Sequence, residues 1–146
     1  MYTERFSECT CPLAAQFADS FAAGNHDTSY VSLQSYHRAV ALINVGDMAT
    51  NATLDALLYQ ATDTSGTSAK VISGKSITQL TQAGGDGDAL YCIEVQTEEL
   101  DVDGSFDCIM LRVTVGTAAV EFGAWVFGLE PRYKPTATSG WGEIVT

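Results

Sequence analysis

Short apolar stretches, separated by clusters of Gly, Asp, Asn and Ser, recur along this chain from about Thr28 onward. The turn signals come at spacings of roughly 8–12 residues, a rhythm of short strands in a sandwich or barrel. Residues 28–34, 36–45, 52–62, 69–72, 76–81, 89–97, 106–115 and 118–129 each read as a strand. No helical pattern of ~10–15 residues lies between them, as a parallel α/β sheet would need. The expected fold is therefore all-β: an antiparallel β-sandwich, jelly-roll-like, with an N-terminal arm or short helix.

Alternation supports the individual strands. In 52–62, Leu54, Ala56, Leu58 and Gln60 alternate with Thr53, Asp55, Leu57 and Tyr59, which favours a strand over a helix despite the Ala and Leu content. Tyr91, Ile93 and Val95 share one face of the segment 89–97. In 118–129, Val120, Phe122, Ala124 and Val126 share one face, and Trp125 and Phe127 point the other way. Pro131 and Pro135 lack backbone donors and cannot continue a central strand.

The N-terminal stretch reads differently. Leu13, Phe17 and Phe21 fall at i, i+4 and i+8 in an Ala-rich segment, which predicts a helix over Pro12–Ala23 ending at Gly24-Asn25. The expected organisation is an arm or short helix over 1–26, a β-sandwich over 27–136 and a tail over 137–146. On that division the arm lies on its own domain or docks on another subunit, and deleting residues 1–20 leaves a folded β domain.

Composition narrows function. A length of 146 residues makes one domain with a core of its own. The 18 acidic and 7 basic residues give a net charge of −11. Lys and Arg are scattered singly, so the counterion release that drives nucleic-acid binding has no footprint here. An acidic surface is instead attracted to a basic protein. No stretch reaches ~18 apolar residues, so no helical membrane span is expected. Nothing near Met1 reads as a secretory signal, so synthesis in the cytoplasm and reduced thiols are expected.

Chemistry-bearing patterns are few. The loop carrying Asp101, Asp103 and Asp107 is the best place to look for a cation, with Asp86 and Asp88 as further donors if the fold joins the loops. Its glycine comes too early for a calcium loop and no Glu closes it, so a solvated turn is the reading, with no metal and no cofactor. Cys9-Thr-Cys11 is too closely spaced for a zinc knuckle, and Cys92 and Cys108 read as small core residues. No nucleophile elbow, triad signature or phosphate loop is present, so the chain is read as a non-enzyme. Interface candidates are Phe6, Leu13, Phe17 and Phe21 at the N-terminus, and Trp125, Phe127, Arg132, Tyr133 and Trp141 toward the C-terminus.

One further pattern is distinctive: Tyr36, Asn44-Val45-Gly46, Gln60-Ala61-Thr62-Asp63, Gly66, Ala69-Lys70, Ile72-Ser73-Gly74-Lys75, Thr78 and Leu80-Thr81. Glu99-Leu100-Asp101-Val102-Asp103, Phe106, Val113-Thr114-Val115 and Gly128-Leu129-Glu130-Pro131-Arg132-Tyr133-Lys134-Pro135 continue it. Over residues 30–136 this resembles the small head proteins of tailed bacteriophages. The resemblance implies a capsid decoration (cement) protein of the virion surface, bound to the major capsid protein of an HK97-type shell at capsomer junctions. It also implies a homo-oligomer, with a trimer favoured, and no catalytic residues. A head–tail or tail structural component, and a jelly-roll carbohydrate-binding module, remain as alternatives.

Overall fold

The computed structural model describes residues 4–134 and 138–145. A short helix α1 (Phe6–Cys9) is followed by ten strands. They are β1 (Thr10–Phe21), β2 (Gly24–Asp27), β3 (Val31–Ser32), β4 (Tyr36–Met48), β5 (Thr53–Ala61), β6 (Lys70–Ser76), β7 (Leu80–Thr81), β8 (Ala89–Gln96), β9 (Cys108–Gly116) and β10 (Val120–Pro131).

Two antiparallel sheets face each other. One runs β1-β10-β4-β8 and the other β2-β9-β5-β6, with β3 on β9 and β7 on β5. Strands β2 and β3 pair successive parts of β9, and β6 and β7 successive parts of β5, so each pair is one interrupted strand. Counted that way there are eight strands in two Greek keys, and neighbours in sequence mostly lie in opposite sheets. That strand order is a jelly roll.

The alternating positions supply the core. Ala39, Ala41, Ile43 and Val45 of β4 and Val120, Phe122, Ala124 and Val126 of β10 are buried from one sheet. Leu54, Ala56 and Leu58 of β5 and Ile109, Leu111, Val113 and Val115 of β9 meet them from the other. The alanines are narrow positions between larger Ile, Leu, Val and Phe side chains, which lets the two layers interdigitate. Each Leu, Ile or Val so buried contributes about 1.5–3 kcal/mol. Gly128 is a further narrow position: a Cβ there would lie 2.7 Å from Cγ and Cδ1 of buried Tyr36. Pro131 is the last residue of β10, where a missing donor costs the ladder nothing further; Pro135 lies outside the described residues.

The N-terminus departs from expectation. The segment predicted as a helix over Pro12–Ala23 is strand β1 up to Phe21, and helix is confined to Phe6–Cys9. A spacing of four is even and so does not distinguish a strand from a helix, and in β1 two register shifts leave Leu13 and Phe21 against the core and Phe17 exposed. The free edge of β10 then decides, because its donors and acceptors need a partner. Pairing runs from Thr10↔Leu129 to Phe21↔Val120, with register shifts between Pro12 and Ala14 and between Gln16 and Asp19. The expected arm over 1–26 is thus largely edge strand, continued by β2 in the opposite sheet. Deleting residues 1–20 would strip β10 of its partner rather than trim an appendage.

Cys92 departs too. It is exposed on β8, whereas Cys108 on β9 is buried in the other sheet, so the two are not core neighbours.

Candidate functional site

The two sheets present opposite chemistry to their surroundings. On β9 and β5 the outward polar side chains are bonded to one another, with Leu57 and Met110 set among them. Arg112 donates from Nε to Asp27 Oδ1 at 2.7 Å and from Nη2 to Oδ2 at 2.6 Å. It also donates from Nη1 to the Tyr59 hydroxyl at 3.1 Å and stacks on the Tyr59 ring. The Asp27 carboxylate holds Arg112 charged above even its usual range, and lesser contributions from burial oppose it. Thr114 donates to Asn25 at 2.8 Å, and Gln79 to Asp55 at 2.7 Å. The charged and amide groups named here are satisfied within the chain, while Val71 of β6 is exposed beside Tyr59.

The outer face of the β1-β10-β4-β8 sheet is apolar. Cross-strand pairing aligns Ala15, Trp125, Leu42 and Cys92 in one row and Pro12, Phe127, Val40 and Glu94 in the next. Leu90 stands beside them and is 64% exposed. Trp125, Phe127, Val40 and Leu42 are all half-buried. Residues on one face of adjacent strands lie within contact distance, so this is a continuous patch.

Both chain ends close over one corner of it. Phe6 of α1 lies 6.3 Å from Phe127, Trp141 lies 6.0 Å from Phe127, and Phe6 lies 6.0 Å from Trp141, ring centre to ring centre. The tail is tied down alongside, where the Cys11 thiol donates to the Ser139 carbonyl at 3.2 Å. Lys134 pairs with Glu4, and that bond raises the lysine above its ordinary pKa. Phe6 remains 63% exposed, so the cluster projects as well as covers.

The interface candidates therefore scatter. Phe6, Phe127 and Trp141 come together, with Trp125 in the next row. Leu13 packs against the core rim, and Phe21 lies against Phe122 with ring centres 4.3 Å apart. Phe17 and Tyr133 are exposed, at 79% and 83%. Arg132 lines a cleft of about 520 Å³ at one end of the sandwich, with His37, Glu98, Asp107, Leu100 and Phe106. Sequence reasoning did not single out Val40, Leu42, Leu90 or Cys92. The signal was present in the unbroken apolar run 39–43, since a strand apolar on both faces is covered on both faces.

The acidic residues are committed to loop structure. Asp101 accepts from Lys70 Nζ and from the Gly104 amide, and these bonds, the lysine's first, hold its pKa low. Lys70 also lies 4.2 Å from the centre of the Phe106 ring. Asp107 accepts from Gln34 and from the Cys108 thiol. Glu99 caps the turn at Gln96 and pairs with Lys75 at 2.8 Å, which lowers its pKa. Asp86 serves the Thr81 amide at 2.9 Å. Among the described residues no three His, Cys, Asp or Glu side chains converge as metal ligands. Among them, too, no helix is long and apolar enough to cross a membrane.

No protein-family model matches the chain, and no curated protein does. Solved structures share its general shape. One is the infectious bursal disease virus Gx strain structure, at a TM-score of 0.48 and 12% identity, over 86% of this chain and 32% of that one. Naturally empty cowpea mosaic virus particles align at 0.44 and 9% identity, over 94% and 96% of the two chains. Broad bean stain virus aligns at 0.44 and 10% identity, over 99% and 96%. This chain thus spans about a third of the first and nearly all of the other two. The fold assignment rests on the strand order.

Proposed function

We propose that this protein is a structural component of a virus particle and acts as a decoration protein. On this reading it binds the outer surface of an HK97-type shell at capsomer junctions and contacts the major capsid protein through its apolar sheet face. The observation that carries the reading is the contrast between the faces. The polar groups of one are bonded to each other, and the other offers Trp125, Leu42, Val40 and Phe127 with, among the described residues, only α1 and the C-terminal tail over one corner. Apolar patches of this kind mark protein contacts, and jelly rolls are a common capsid architecture. The resemblance over residues 30–136 points the same way.

The mechanism is energetic. A protein that binds the assembled shell and not its dispersed subunits stabilises the shell by mass action, and many identical sites add. The net charge of −11 favours a basic landing surface and steers the approach. The test is cryo-microscopy of the purified particle together with heat release of its DNA. Abundant density on the outer surface, and earlier DNA release in particles lacking the protein, support the reading. A few copies at a single vertex indicate a head–tail component. Glycan binding lost in Trp125→Ala indicates a carbohydrate-binding module.

A further inference from the structure

The four sheet edges are not equally protected. Edge strand β1 contains Pro12 and Asp19 and two register shifts. Edge strand β2 has four residues. Edge strand β6 carries Lys70, Lys75, a register shift against β5, and Gly74 at φ 75°. These are the devices that stop an edge from recruiting another strand.

Strand β8 has the fewest of them. It runs eight residues, Ala89–Gln96, without Pro or Gly, in unbroken register with β4 from Val45↔Ala89 to Arg38↔Gln96. Its one charged residue is Glu94. Among the described residues, no turn or loop backbone bonds to its outer edge between Ala89 and Val95. Of the side chains it turns outward, Cys92 continues the apolar row of Leu42 and Trp125, and Leu90 stands in the adjacent row opposite Asn44.

We infer that β8 pairs antiparallel with β8 of a second copy of this chain, joining two four-stranded sheets into one of eight across a two-fold axis. The strand's own sequence selects this occupant. Keeping both apolar faces on the same side allows only registers in which paired residue numbers sum to an even value. Glu94 opposite the second copy's Glu94 would set like charges face to face. Placing Cys92 opposite the second copy's Cys92 instead sets Glu94 against Leu90. Each Glu94 then stands two residues, about 7 Å, from the axis. The two carboxylates are about 14 Å apart, beyond the Debye length of about 8 Å at physiological salt. Two copies each of net charge −11 repel at long range, so the dimer tightens as salt is raised. A two-fold pair differs from the trimer that the resemblance implies, and mass separates them.

The test uses the full chain alone, so its failure leaves the virion reading untouched. Sedimentation at about 100 micromolar, well above a micromolar dissociation constant, should give twice the 15.5 kDa chain mass. Cys92→Lys, which opposes two ammonium groups at the axis, should weaken the dimer by tenfold or more. Leu90→Lys, which sets the new lysine against Glu94 of the second copy, should keep it. Circular dichroism confirms that both variants are folded. Diamide, which accepts two electrons and two protons from a thiol pair, should link two chains through Cys92, and Cys92→Ala should abolish the link. A monomer or trimer mass, a dimer indifferent to Cys92→Lys, or cross-linking undiminished in Cys92→Ala overturns the inference.

Discussion

Replacing Gly128 with alanine probes the packing that seats β10 between its neighbours. The new Cβ would lie 2.7 Å from two Tyr36 ring carbons and 2.8 Å from a third. Carbon atoms rest about 3.5–4.0 Å apart, so the ring must retreat by about 1 Å. Tyr36 is 5% exposed, directly opposite Pro131 at the start of β4, and has little room to do so. Overpacking of this kind costs about 1–3 kcal/mol. Removing a glycine from the unfolded chain returns about 0.4–1 kcal/mol. At the midpoints of these ranges the net loss is about 1.3 kcal/mol, which for a chain of this size lowers the melting temperature by about 3–5 °C. The assay is thermal unfolding by circular dichroism, with Gly142→Ala as control, since nothing lies within 4 Å of a Cβ there. Combining Gly128→Ala with Tyr36→Leu should recover part of the cost, a coupling of about 0.5–3 kcal/mol. A Gly128→Ala melting temperature matching the control's, or strictly additive costs in the double variant, refutes the packing argument.

Four further outcomes are expected. Thr117 joins β9 to β10 at φ 68°, a β-branched residue in the left-handed region, so Thr117→Gly should raise the melting temperature by a few degrees; a fall contradicts the strain. Trp141→Ala removes two ring contacts worth about 0.5–1.5 kcal/mol each, and should lower stability and increase binding of a hydrophobic dye at Phe127; unchanged dye binding contradicts the capping role. In native protein, Ellman's reagent should modify exposed Cys92 before buried Cys11 and Cys108. Burial first, and then Asp107, push the Cys108 thiol up to about 12 from its ordinary 9.0. A thiol so raised stabilises the fold fully below pH ~9 and loses that contribution as pH rises toward ~12. Alkaline unfolding should therefore lose that part of its pH dependence in Cys108→Ala, and an unchanged profile contradicts the assignment.

Much of the architecture was legible because the strands that make the core alternate cleanly. Leu54-Asp55-Ala56-Leu57-Leu58 has good helix formers, yet Leu54, Ala56 and Leu58 go to one face and the segment is a strand. The segment around Phe17 was misread because even spacing fits both periods, and a long-range partner, the edge of β10, settled the choice. Sequence periodicity cannot see that partner. The same blindness affected Cys92: cysteine is usually buried, and only the position of β8 at a sheet edge, with its outward row, shows otherwise. Trp125 and Phe127 were legible as facing away from the core. That Phe6 and Trp141, at opposite ends of the chain, meet Phe127 required the three-dimensional fold. The acidic loop was read as turn-forming, and the partners of Asp101 and Asp107 supply the physical reason.

The central claim is that the apolar face of the β1-β10-β4-β8 sheet seats this protein on a viral shell. A cryo-microscopy map of the particle tests it most directly. The account predicts many copies on the outer surface, with Trp125, Leu42 and Phe127 turned toward neighbouring protein. A shell with no such density, or copies whose Trp125 face points into solvent while the Arg112 face makes the contacts, would contradict it.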